Sequence, residues 1–288
     1  MEQRQGQQPW QRPLPLPRLQ QHREKFCVVY RELFAGKDSA PALLRREAAW
    51  DELLLLPVNA IWLRKTLASL ETAQLCRPVY AQTSGPPTPL SQALLHRLVG
   101  SLRRDGDSVE AGNRQKHALE TLGVLTYALC DRPHIDFKQQ VLPLFCQMDN
   151  ADAFFERLIS ELVALMGEPG EQNPRRRNYL QFLALYLFIT LATACENLQR
   201  NSLIDHFVVK SKTLTAMLDE ICKTEHPLYQ KEQAFALLAL LCNHRKHESR
   251  NPFRAHLRAT PENDVHMFMF SLRETLMACN LLIIKCVK

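Results

Sequence analysis

Apolar residues recur along this chain at helical spacing almost from end to end. Phe26, Val29, Tyr30 and Leu33 stand at i, i+3, i+4 and i+7, which predicts an amphipathic helix over 19–35 ended by Gly36. Residues 42–56, with Trp50, Leu53, Leu54 and Leu56, predict a second helix that Pro57 must stop. Asn59 is placed to cap a third, carrying Trp62, Leu63, Leu67 and Leu70. After the stretch TSGPPTP at 83–89, which its prolines and glycine make a loop, residues 91–104 and 113–131 form a helix pair around the polar segment DGDSVEAG. Residues 137–148 are apolar but contain Pro143, so two short turns or a kinked helix are expected there. An amphipathic helix over 152–166, with Phe155, Leu158, Ile159, Leu162 and Leu165, is closed by Gly167. Further helices are predicted over 201–209, 212–222, 229–247 and from Val265 to the last residue. Nowhere do polar and apolar residues alternate with the period of two that marks a strand.

One stretch differs from the others. The run YLQFLALYLFITLATAC, 179–195, opened by Arg175–Arg177, is apolar on every side, so as a helix it must be enclosed by protein or by lipid. A membrane span needs about 20 apolar residues; this run includes Gln181 and closes on small and hydroxyl residues before Glu196. The favoured reading is the central helix of an all-helical stack, with a membrane-spanning protein using 179–195 as the alternative.

The helices also repeat. Apolar runs end at Asp131, Asn197 and Asn243, each followed by one or two further helices, and the last two ends are 46 residues apart. That spacing lies inside the 40–47 residue period of armadillo and HEAT units. Such units cannot bury their apolar faces alone and stack into a solenoid. The fold class expected is therefore all-α, an α-solenoid of armadillo/HEAT-like repeats. Residues 1–18 form a Pro/Gln-rich leader, and 19–288 form one helical domain with a loop break at 83–89.

Composition narrows the functional classes. The 288 residues are 46% hydrophobic with only nine glycines, as suits packed helices. Nine scattered cysteines with no close CxxC pair read as reduced thiols of a cytosolic protein, and the leader has no apolar core of a secretory signal. The net charge of +6 is too small for a dedicated nucleic-acid binder, so no nucleic-acid partner is expected. The excess is local: 244–258 carries five Lys/Arg against one Glu. Arg245, Lys246, Arg250, Arg254 and Arg258, broken by Pro252, can project together from a helix end and its loop. Such a rim attracts an acidic partner segment or an anionic membrane surface; an ordinary solvated helix end is the plainer reading, and Glu248 fits it.

Candidate chemistry is sparse. Cys242, His244 and His247 are the one close Cys/His cluster, but at 100° per residue Cys242 and His244 point about 200° apart on one helix. His244 continues the stripe Ala234, Leu237, Leu241 toward the core. A metal-dependent hydrolase at His244/His247 is the enzymatic alternative, and no cofactor, metal or catalytic residue is assigned. Asn197 and Asn243 each fall at the end of an apolar run, where an asparagine is either a helix cap or, on the third helix of an armadillo repeat, a groove residue whose amide pins a peptide backbone. Asn243, read within a continuing helix, joins the basic residues as a candidate partner-binding position.

Three stretches carry a family resemblance: AAWDELLLLPVNAIWLRKTLASL (48–70), ATACENLQRNSLIDHFVV (192–209) and FALLALLCNHRKHESRNPF (235–253), the last with Arg245-Lys246, Glu248-Ser249 and Asn251-Pro252 in one register. They resemble the armadillo-like helical domain-containing protein 3 family, over roughly residues 19–258. The resemblance implies a non-enzymatic scaffold at the cytosolic face of Golgi membranes. It further implies association with phosphatidylinositol 4-kinase beta and the large Golgi Arf exchange factor, supporting Golgi maintenance and secretion. The chain departs from the family in its leader, in the proline linker, and in stopping after LLIIKCVK where relatives continue, which reads as a short isoform or a fragment.

Overall fold

The computed structural model describes residues 18–36, 46–79, 87–103, 108–132, 137–167, 174–194, 201–223, 226–244 and 251–287. The leader up to residue 17, most of the proline loop, Asn197, and the segment 245–250 lie outside them. In chain order the helices are α1 (Arg18–Ala35), α2 (Glu47–Leu55), α3 (Ala60–Ser69), α4 (Thr72–Leu75), α5 (Leu90–Gly100), α6 (Val109–Cys130), α7 (Phe137–Gln140) and α8 (Leu142–Phe145). They continue as α9 (Ala151–Gly167), α10 (Pro174–Ala192), α11 (Leu203–Val209), α12 (Ser211–Lys223), α13 (Leu228–Asn243), α14 (Pro252–Ala259) and α15 (Glu262–Val287). A 3-10 turn at Met148–Asn150 leads into α9.

Local chemistry sets most boundaries. Gly36 ends α1 at φ +77°, a left-handed conformation that costs glycine little. Asn59 caps α3 as expected, its Oδ1 accepting from the Trp62 N–H at 3.2 Å. The segment DGDSVEAG runs into a helix at its end. Ser108 Oγ accepts from the Ala111 N–H at 3.0 Å, so α6 starts at Val109 and not at Asn113. Pro143 splits 137–148 into the two short helices α7 and α8. A second departure is a two-residue antiparallel pair, Pro78–Val79 (β1) with Thr88–Pro89 (β2), which closes the ends of the proline loop.

The helices stack in layers. Helix α3 and the long helices α6, α10 and α13 lie side by side, with α10 packed between α6 and α13. Behind them α5, α9 and α12 each pack on the long helix that follows in sequence, and the short α8, α11 and α14 pack on α5, α9 and α12. A short, a middle and a long helix thus form a unit: α8–α9–α10, then α11–α12–α13. Helix α15 closes the stack against α12 and α13. This is the all-α helical-repeat architecture read from the hydrophobic periodicity.

The 179–195 run is the middle of that stack. In α10 Leu185, Leu187, Phe188 and Leu191 are fully buried, and Phe188 meets Phe207 of α11 edge-to-face at 5.3 Å. Among the described residues no helix is long and apolar enough to cross a membrane. The helix is not enclosed on every side, however. Tyr179 and Tyr186 are 37% and 38% exposed, so one edge faces out.

The unit boundary also differs from the expected register. Asn201 Nδ2 donates to the carbonyls of Leu191 and Ala192, both at 2.8 Å, while its Oδ1 accepts from the Leu203 N–H. Asn251 Nδ2 donates to Leu241 and His244 carbonyls, both at 2.8 Å, and its Oδ1 accepts from the Phe253 and Arg254 N–H groups. Each buried amide therefore closes one long helix and opens the next short one. Asn201 and Asn251 thus mark equivalent points of successive units; of the two positions that give the 46-residue spacing, Asn243 ends α13 and Asn197 lies outside the described residues.

Candidate functional site

The edges of α3, α6, α10 and α13 that face away from the middle helices form one exposed face, and aromatic side chains cross it. Tyr179 of α10 donates from its hydroxyl to Glu120 Oε1 of α6 at 2.7 Å, with Lys116 Nζ 5.2 Å from its ring centroid. Phe182, one turn on, is 6.5 Å from Tyr179 and meets Tyr229 of α13 edge-to-face at 5.4 Å. Tyr229 is 46% exposed. Toward the other ends of the same helices, Arg64 of α3 donates to Tyr127 Oη of α6 at 2.9 Å and lies 4.4 Å from that ring's centroid. Tyr186 is their neighbour on α10.

This arrangement can bind but offers little for catalysis. Burial, then the Glu120 carboxylate that its hydroxyl already serves, raises the Tyr179 phenol above its ordinary range. The phenol stays neutral and donates. Tyrosine presents a rigid apolar ring with a polar tip, so a row of such rings suits the docking of a partner segment.

The residues expected from the sequence are only partly brought together. Asn243 is the last residue of α13, exposed, its Nδ2 donating to the Ala239 carbonyl at 2.9 Å. It lies on the stripe that runs from Tyr229 through Ala236 and Ala239, all exposed. The helix does not continue to His247 as expected, because its backbone closes at His244 through a bond to Leu240 and through the Asn251 amide. Arg254 of α14 lies near that end, close enough for its charge to act on the Cys242 thiol. Arg258 is exposed in the last turn of α14. Arg245, Lys246 and Arg250 fall outside the described residues.

Two members of the Cys/His cluster lie in the described residues. His244 is buried at the end of α13, and Cys242 is half-buried beside it. Burial, offset by Arg254, pushes the Cys242 thiol up to about 11, away from the thiolate that a metal ligand or nucleophile requires. His247 lies outside the described residues, and among the described residues no three His, Cys, Asp or Glu side chains group as metal ligands do.

The chain matches armadillo-like helical domain-containing protein 3 from three vertebrates. It is 26% identical to the Xenopus laevis protein over 234 residues, 80% of this chain and 30% of that protein. The human protein matches at 25% over the same length, and that of Danio rerio at 25% over 233 residues. The chain is a relative of the armadillo-like helical domain-containing protein 3 family. It matches only about 30% of the length of those family members. No family model matches the chain, and no solved structure matches it.

Sequence reasoning missed the aromatic row. Tyr179, Phe182 and Tyr186 stand at i, i+3 and i+7, which is a face signal in its own right, but it is submerged in a run with nearly uniform hydropathy. Tyr127 and Tyr229 join that face from other helices, and only their stacking shows it.

Proposed function

We propose that this chain is a non-enzymatic scaffold of the armadillo-like kind, which docks a partner segment across the exposed edges of α6, α10 and α13. The observation that carries this reading is the row Tyr179–Phe182–Tyr229, in which the partly buried Phe182 touches two exposed tyrosines on neighbouring helices. Exposed aromatic rows of this kind mark contact surfaces, and tyrosines dominate their energetics. Kinship with the family supports the scaffold class. Following that resemblance, the partners proposed are phosphatidylinositol 4-kinase beta and the large Golgi Arf exchange factor, at the cytosolic face of Golgi membranes and in support of secretion. Asn243 and the basic residues Arg245, Lys246, Arg250, Arg254 and Arg258 would hold an acidic part of a partner at the end of α13.

The test is affinity purification of the tagged chain from cells, probing for the kinase and the exchange factor. Both are expected with the wild type and lost from Tyr186→Glu/Tyr229→Glu, whose exposed sites leave the helical signal and melting temperature unchanged. Recovery of neither partner by the wild type overturns the partner assignment. Undiminished recovery by the double variant overturns the aromatic row as the docking face.

A further inference from the structure

A second feature lies apart from the aromatic row. Between α2, the C-terminal end of α5, the first turns of α6, and α9 is a cleft of about 830 Å³, inside the size range of small-ligand sites. Its lining is cationic. Arg97 comes from α5 and Arg103 from just past its end, Arg114 from α6 and Arg157 from α9, with His96 beside them; among the described residues Asp51 of α2 is the one carboxylate that lines it.

The carboxylates described nearby hold Arg103 and Arg114 loosely. Arg114 reaches Asp51 at 3.5 Å and Glu110 at 3.8 Å, and Arg103 reaches Glu161 at 3.4 Å while its side chain is 77% exposed. Charge-assisted bonds between such groups close to about 2.7–2.9 Å when they are well made. The Nε of Arg114 is buried with no acceptor. Arg157 has no carboxylate partner among the described residues, and its guanidinium lies beside Gly100 of α5. Its positive charge is felt across the cleft: burial first, then Arg157, lowers the pKa of His96.

We propose that this cleft binds a small anion carrying two or more phosphate groups, either free in solution or as the headgroup of a lipid. The guanidinium forks of Arg103, Arg114 and Arg157 converge on one concave space and carry more N–H donors than Asp51, Glu110 and Glu161, the carboxylates that reach them among the described residues, fill at these distances, and phosphate oxygens match the fork geometry two at a time. A single carboxylate would leave most of those donors unfilled. A concave cleft in which cationic groups outnumber the described carboxylates also focuses its field, which draws a multivalent anion in preference to a monovalent one. The cleft is bounded by several elements, β2 and the 3-10 turn among them, rather than running along one face, which favours a compact ligand over an extended acidic peptide.

The experiment uses the full chain and two arms. In the first, titration calorimetry follows pyrophosphate and inositol hexakisphosphate; in the second, flotation follows vesicles with and without a doubly phosphorylated inositol lipid. The variant is Arg103→Ala/Arg157→Ala, both exposed positions, with the melting curve as the check on folding. Saturable binding of a soluble probe that weakens roughly ten- to hundredfold in the variant, as lost charge-assisted bonds would weaken it, supports a free phosphorylated ligand. Lipid-dependent flotation that the variant loses supports the headgroup source. No saturable binding in either arm, equal binding by the folded variant, or displacement by polyglutamate as effective as by pyrophosphate overturns the proposal. Variants on the aromatic row should leave both arms unchanged, so this test and that of the scaffold reading fail separately.

Discussion

Asn251 does at the end of α13 what Asn201 does at the end of α10: each is buried, each gives both amide hydrogens to carbonyls of the long helix behind it, and each accepts from the helix ahead. One side chain thus satisfies a helix end and a helix start that no water reaches. At an ordinary N-cap, aspartate serves as well as asparagine. Here it should not, because a carboxylate would face two carbonyl oxygens instead of donating to them. Asn201→Asp and Asn251→Asp should each destabilise by about 2–4 kcal/mol, from lost bonds and buried unsatisfied carbonyls. A melting temperature unchanged by either would show the amides to be ordinary caps.

The centre of the stack carries the largest predicted losses. Leu187 and Leu191 are both fully buried in α10. Replacing either by Ala should cost about 2–5 kcal/mol through lost burial and a residual cavity. Chemical denaturation of both variants measures this, and wild-type midpoints would mean that α10 is not the core.

Gly123 should behave oppositely. It lies within α6, and a methyl group added there would meet nothing within 4 Å. Gly123→Ala should therefore stabilise by about 0.5–1 kcal/mol, since glycine is the costlier residue in a helix interior. A lower melting temperature would reveal a close approach that the packing does not show.

Stability should fall as the medium turns acid. His117 is buried, and its Nδ1 is 2.7 Å from the Leu54 carbonyl, which can only accept, so Nδ1 carries the proton of a neutral ring. Burial lowers its pKa despite that bond and the nearby Glu120; burial likewise lowers that of His206, against the pull of Asp152 and Asp205. Below about 6.5 the unfolded chain takes up these protons more readily than the folded one, so their contribution is complete above that pH and is lost as pH falls through it. Melting temperatures at pH 7.5 and 5.5 should show the decline, and His117→Gln should make it smaller. A decline of the same size in that variant would assign the effect to other groups.

The basic segment offers a separate test of partner binding. Reversing Arg250, Arg254 and Arg258 to Glu together should weaken recovery of the kinase and the exchange factor, and binding to anionic liposomes at low salt, where each basic residue near the surface contributes about 1 kcal/mol. If all three readouts are unchanged while the fold persists, that segment is an ordinary solvated helix end.

The sequence alone determined the class of the fold and most of its elements. Periodicity of 3.6 residues is a local property, so the helix holding Phe26, Tyr30 and Leu33, the cap at Asn59 and the stop at Gly36 were legible before any packing was known. The segment 245–250 keeps only its sequence-based reading. Tertiary structure decided what depends on neighbours distant along the chain. That Asn201 and Asn251 join one helix to the next turned on which carbonyls lay near them. The outward edge of α10 was set by α6 and α13, because a uniformly apolar helix does not declare which side is left uncovered. The arginine cleft joins residues of α5, α6 and α9 that share no spacing, since side chains converge through packing and not through any period in the sequence.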